Sequence, residues 1–253
     1  ISYATKASND PYDYEGDFEN DKKHGVGLDL YGNGQTHYEG EFKDNEYNGQ
    51  GILFRNKDNK DGNGSSMLYY GHFEEGRRSG FGEEYDESKQ VIYRGTWGNN
   101  MRLGQGQEFL NGKEVYIGDF FNNKRDGEGQ ENYSNGECKY VGDFSRGKYE
   151  GNGTLFYEDR ETNGEKQYEG RWKNGLAHGK GKYYVENALE YDGHWIKDKR
   201  NGQGTLYFDG EVVYSGLWEN DKRKEPKKSI KRENEEVVDA KSPKSGKKKR
   251  RKN

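Results

Sequence analysis

What this 253-residue chain has least of is apolar bulk. Hydrophobic residues make up 28% of it, half of that share is aromatic, and the mean hydropathy is −1.46. An ordinary globular core is therefore out of reach. A single cysteine, Cys138, excludes an internal disulfide framework and a cysteine-based zinc cluster. The five histidines are scattered, and two of them, His24 and His178, fall at the same place in the pattern set out below. No apolar run approaches the roughly 18 residues of a membrane span, and no charged-then-apolar leader is present. The expectation is a soluble, cytoplasmic protein of a reducing compartment. Catalysis needs a nucleophile beside a base, paired carboxylates in unlike surroundings, or a metal cluster. None is visible, so the chain reads as no enzyme, with no cofactor and no metal.

Glycine and tyrosine are what the chain has in quantity, 38 and 21 residues respectively, and they recur at fixed distances. From Tyr14, Tyr38, Tyr69, Tyr93, Tyr116, Tyr140, Tyr168 and Tyr191 there follow a glycine at +2, an aromatic at +4 and glycines at +11 and +13. The aromatics are Phe18, Phe42, Phe73, Trp97, Phe120, Phe144, Trp172 and Trp195. A ninth start at Tyr214 has only the first half, ending in Trp218. Unstructured glycine-rich chains have no reason to keep such marks, so this is a repeat protein with a basic unit of 23 residues.

Within a unit, marks at 0, +2 and +4 have the period of a half-exposed strand. Position +7 is always Asn, Asp or Gly, the types that accept a tight turn. Six of eight units then carry Asn-Gly or Asp-Gly before the next tyrosine. Each unit is predicted to be a β-hairpin, giving an all-β, elongated, single-layered antiparallel sheet of eight full repeats and a half repeat. Pairing with an offset sum of 15 would set the +4 aromatic opposite the +11 glycine and the +2 glycine opposite +13. The frequent aromatic at +16 does not fit that alternation. About seventeen strands at ~4.8 Å give a ribbon roughly 80 Å long. One hairpin cannot offset its own ordering entropy, so units must lean on neighbours.

Three regions follow: an N-terminal arm at 1–13, the array at 14–218 and a basic, disordered tail at 219–253. Two insertions, Asn56–Ser66 and Glu158–Lys166, should loop from one edge. The tail holds fifteen basic and seven acidic residues, net +8, which leaves the rest at net −12. Its final run, Lys247, Lys248, Lys249, Arg250, Arg251 and Lys252, is the candidate electrostatic contact, toward an acidic protein surface, an anionic membrane or nucleic acid. The +4 aromatics read as structural packing. A ligand-stacking role would require a ring left open at the groove, and its place would be the capped end near Trp218. The Gly-x-Gly pairs lack the third glycine or the Lys-Ser/Thr of a phosphate loop.

The unit seen in Tyr168-Glu169-Gly170-Arg171-Trp172 with Gly179-Lys180-Gly181 resembles the MORN repeat (membrane occupation and recognition nexus). That resemblance covers 14–218 and implies stacked antiparallel hairpins in a grooved sheet. Its known settings include junctophilins, plant phosphoinositide kinases, a histone-lysine methyltransferase, apicomplexan cytoskeletal proteins and ciliary radial spoke heads. With no kinase or methyltransferase segment in these residues, the layout most resembles the ciliary members. The resemblance implies a scaffold whose partners are other proteins of a large assembly, or a second copy stacked end to end or in the groove, with no small-molecule substrate. The alternatives are a peripheral membrane tether acting through the tail and a regulatory subunit holding an enzyme's peptide.

Overall fold

The computed structural model describes residues 13–56, 66–158 and 164–225. Eighteen strands run as a meander, each antiparallel to the next, in one sheet. No pairing joins the first strand to the last among the described residues, so the sheet is open. The first unit is β1 (Asp13–Glu19) with β2 (Lys22–Leu30), and the second is β3 (Thr36–Lys43) with β4 (Glu46–Arg55). After Trp218 the ninth hairpin closes only with the two-residue strand Lys222–Arg223. Both polar insertions lie between hairpins, and their residues 57–65 and 159–163 fall outside the described residues, as do 1–12 of the arm and 226–253 of the tail.

Two-residue turns make every hairpin. Asn20 and Asp21 adopt φ of 51° and 61°, and Asn99 and Asn100 adopt 50° and 66°. Both central residues are thus left-handed, the turn whose twist suits paired strands and which Asn and Asp tolerate best. The connections between hairpins are less uniform, running from two residues at 111–112 to ten at 56–65.

The register departs from the expected one in half of the hairpin. Gly16 does face Gly27, the +2 and +13 positions, but Phe18 faces Lys23 and not Gly25. Three residues of β2, His24 to Val26, bulge opposite Asp17 alone. Gly25 at +11 sits at φ 68°, a left-handed conformation that coils the strand out of simple alternation. The expected partner of that glycine exists across the unit boundary, where Gly25 faces Phe42 of the following hairpin. A second irregularity falls between +15 and +16, as at Asp29/Leu30 and Leu53/Phe54. The extra residue is on the next strand, His37 or Leu68, and the shift takes +16 out of simple alternation.

Bare glycine floors are what the packing requires. A Cβ built on Gly40 would come within 2.5 Å of Gly51 Cα across the ladder, and one on Gly51 would fall inside the Tyr38 ring. Gly32, by contrast, has nothing within 4 Å of such a Cβ. Gly51→Ala should therefore lower unfolding stability by about 3 kcal/mol, while Gly32→Ala stays within about 1 kcal/mol of the parent. Urea denaturation followed by circular dichroism measures both, and equal costs would refute the packing account.

Candidate interaction face

One face of the sheet carries the repeat tyrosines and aromatics, and it is built in layers from the glycine floor upward. Each of the nine tyrosines, Tyr14 to Tyr214, lies over its own glycines and donates its hydroxyl to the carbonyl three residues on, at 2.8–3.2 Å. This carbonyl stands beside the +11 bulge, so the irregularity in register gives the phenol its partner. Tyr38, Tyr69, Tyr93, Tyr116, Tyr140 and Tyr191 are fully buried.

The +4 aromatics stand edge-on between successive tyrosines. Phe18, Tyr14, Phe42, Tyr38, Phe73, Tyr69, Trp97 and Tyr93 begin a column that runs through Phe120, Phe144, Trp172 and Trp195 to Trp218 and Tyr214. Its seventeen consecutive contacts are all T-shaped, with centroids 4.9–5.6 Å apart and planes at 76–89°. Each such pair contributes about 0.5–1.5 kcal/mol beyond its buried area. All four tryptophans also donate Nε1–H to the +13 glycine carbonyl of the preceding unit, as Trp97 does to Gly82 and Trp172 to Gly153. Among the described residues no unit precedes that of Phe18, which is 38% exposed. Trp218, where a ring open for stacking would have lain, is only 4% exposed and packs like the other +4 aromatics. The Arg200 guanidinium lies 4.5 Å from its centroid, and Arg223 comes over the other flank at 5.9 Å.

Position +9 is the layer that sequence reading overlooked. It is Lys23, Tyr47, Arg78, Arg102, Arg125, Tyr149, Ala177, Arg200 and Arg223. Eight of these side chains lie flat on the tyrosine column. Arg102 sits 4.5 Å over Tyr93, Arg125 sits 4.5 Å over Tyr116, and Tyr47 stacks on Tyr38 at 3.8 Å. The signal was in the sequence, a long cation or tyrosine nine residues after nearly every repeat tyrosine.

Carboxylates at +15 clamp four of these cations, Lys23, Arg78, Arg102 and Arg125. Arg102 bridges Glu84 at 2.7 Å and Glu108 at 2.9 Å, and Arg125 joins Glu108 at 2.7 Å to Glu131 at 3.7 Å. The pairs are half-buried and linked in series, which makes them count for more than isolated surface ion pairs. Burial pulls the Arg78 guanidinium down from its ordinary value, and neighbouring Glu84 opposes that. At the turn edge, the +7 backbone N–H of each unit donates to the +9 carbonyl of the unit before. Where +7 is Asn or Asp, its Oδ1 accepts the +9 N–H in return, at 2.6–2.9 Å for Asn45, Asn100, Asn123, Asp198 and Asp221.

These features define a linear array of interlocked β-hairpins with a ring column on one face. The profile described as MORN repeat matches residues 14–36, 38–60, 69–89, 93–113, 116–138, 140–162, 168–186 and 191–212. The chain belongs to the MORN-repeat family, whose arrays are generally non-enzymatic and mediate protein or membrane interactions. No curated protein matches the chain in the same comparison. No helix of the described residues is long and apolar enough to cross a membrane. The basic run Lys247–Lys252 lies outside the described residues.

Alkali should attack this face first. Burial, the largest cause in each case, pushes the Tyr14, Tyr93 and Tyr191 phenols up to about 12 from an ordinary 10, and raises Tyr38, Tyr69, Tyr116, Tyr140 and Tyr168 further. The folded array holds these protons more tightly than the unfolded chain. Its tyrosine-linked stability is complete below pH 10 and falls as pH rises through about 12. Phenolate absorbance and circular dichroism should then change together in one steep alkaline transition. Tyrosines ionising near their ordinary value in an intact sheet would contradict this.

Proposed function

We propose that this chain is a non-enzymatic scaffold of a large protein assembly, a structural component of the ciliary axoneme of the radial spoke head kind or of another cytoskeletal complex. The observation that supports it best is the unbroken ring column. It couples each hairpin to the next through rings, ion pairs and turn bonds, giving a stiff strip with a long, charged, repetitive surface. Such a surface suits several simultaneous protein contacts better than it suits a substrate. Phe18, half open at the first strand, adds a place where a second ribbon could stack end to end. Localisation in the cytoplasm, at the cilium or cytoskeleton, is part of the same proposal.

A second reading, a peripheral membrane tether, draws on the basic run Lys247–Lys252, since each such residue near an anionic surface contributes about 1 kcal/mol. The net −12 of residues 1–218 works against any broader membrane contact. Fractionation of the tagged protein from a ciliated cell separates the two. Retention with axonemes through detergent and then high salt is the expected result. Release by detergent alone, with liposome binding that is lost on deleting 226–253, would overturn the scaffold in favour of the tether.

A further inference from the structure

Ala177 breaks the +9 layer. In the other units a long side chain lies on the tyrosine, and Lys23, Tyr47, Arg78, Tyr149 and Arg200 also reach the +4 aromatic of the next unit; here a methyl group leaves a cleft of about 450 Å³. Its walls are the faces of Tyr168 and Trp195, flanked by Leu155 and Tyr183, with the Asp198 carboxylate at the rim. Tyr168 is 4% exposed, whereas the other interior repeat tyrosines, from Tyr38 to Tyr140 and at Tyr191, are wholly covered.

The molecule itself indicates what belongs there. Tyr47 and Tyr149, the two tyrosines at +9, precede units whose +7 residue is Gly76 or Gly175. In the other units where the next +7 residue is Asn or Asp, the +9 side chain is a cation: Lys23 before Asn45, Arg78 before Asn100, Arg102 before Asn123 and Arg200 before Asp221, while Arg125 is a cation that precedes Gly147. Ala177 precedes Asp198, so its site belongs to the cation group. The nearest equivalent is Arg200, which lies 5.7 Å over Tyr191 and 4.5 Å over Trp218. Its Nε stands 3.4 Å from Asp221 Oδ1, an oxygen that also accepts the Arg200 N–H. Three walls of that site have counterparts one unit earlier. Tyr168 stands for Tyr191, Trp195 for Trp218 and Asp198 for Asp221, and Asp198 Oδ1 accepts the Ala177 N–H at 2.6 Å. The +9 guanidinium is missing, the Tyr183 ring stands against Trp195 where the next unit has Leu206, and Glu190, Asp221 and Arg200 complete the lining, so carboxylates outnumber the one cation there.

We infer that the Ala177 cleft is a socket for an arginine side chain of a partner protein, which completes in trans the layer that the other units complete in cis. The guanidinium lies across Tyr168 and Trp195 and shares the Asp198 carboxylate. The acidic body draws a basic partner segment toward it. This rests on the scaffold reading only in assigning the arginine to a protein.

The test uses the full chain with nitrogen-labelled tryptophan, whose four indole N–H signals report on Trp97, Trp172, Trp195 and Trp218 separately. Titration with N-acetyl-arginine methylamide should move Trp195 saturably and leave Trp97 and Trp218, already covered by Arg78 and Arg200, in place. The neutral isostere N-acetyl-citrulline methylamide should bind about tenfold more weakly or less. Ala177→Arg should abolish the shift with the Trp97 and Trp218 signals unchanged. Asp198→Asn keeps the turn chemistry of Asn100 and Asn123, and should weaken the arginine shift severalfold should Ala177→Arg fail to fold. Equal movement of all four signals, or tighter binding of N-acetyl-tyrosine methylamide, would overturn the inference. Axonemal retention undiminished in Ala177→Arg would remove the socket while leaving the scaffold standing; loss of retention by the parent chain, with the Trp195 shift intact, would do the reverse.

Discussion

Because the ring of a repeat tyrosine can rest on two facing glycines only where neither carries a side chain, the position of those glycines dictates nearly everything else in this protein. Gly40 and Gly51 face each other under Tyr38, and the same trio recurs through the array. The phenol gains area from the glycine floor and a hydrogen bond from the carbonyl beside the +11 bulge. It offers its edges to the aromatics on both sides. A chain with little aliphatic material thereby builds a dry interior from rings laid on backbone.

Coupling of this kind is nearest-neighbour in every layer. Phe42 touches Tyr14 before it and Tyr38 within its own hairpin, Arg102 joins Glu84 to Glu108, and Asn100 answers Arg78 at the turn edge. Among the described residues, no strand pairing ties one end of the strip to the other. Stability accordingly accumulates along one dimension, and the terminal units, with one neighbour each, are the weakest. The exposure of Phe18 is the local sign of this.

Much of the hairpin was legible in the sequence, because its strongest demands fall on residue types with few substitutes. The turn at +7 announces itself through Asn, Asp and Gly, and the glycine floor through +2 and +13. The register was only half legible. An alternation rule places +4 against +11 within a hairpin, yet Gly25 turns left-handed and hands that pairing to Phe42 of the next unit. Nothing in a simple two-residue period encodes a bulge. The row of +4 aromatics was legible as packing, whereas the layer that covers the tyrosines was not. Lys23, Tyr47 and Arg78 differ in chemistry, so position +9 looks variable until the flat contact each makes on a tyrosine is seen. At the array end Arg200 and Arg223 close over Trp218, and the cleft in the +9 layer lies two units inward at Ala177.

The two flanks of the strip are unlike in a way that constrains how such a protein can change. Along one flank, invariant two-residue turns are stitched to one another by main-chain bonds from Asn45 to Asp221, so an added residue there would break contacts in two units at once. Along the other, connections already vary from two residues to ten. New sequence can be accommodated on that side alone. Over evolutionary time, then, lineages carrying this array can acquire fresh specificity on a single selvedge, while the opposite border stays frozen in length and every acquired loop projects into the same half-space around the ribbon.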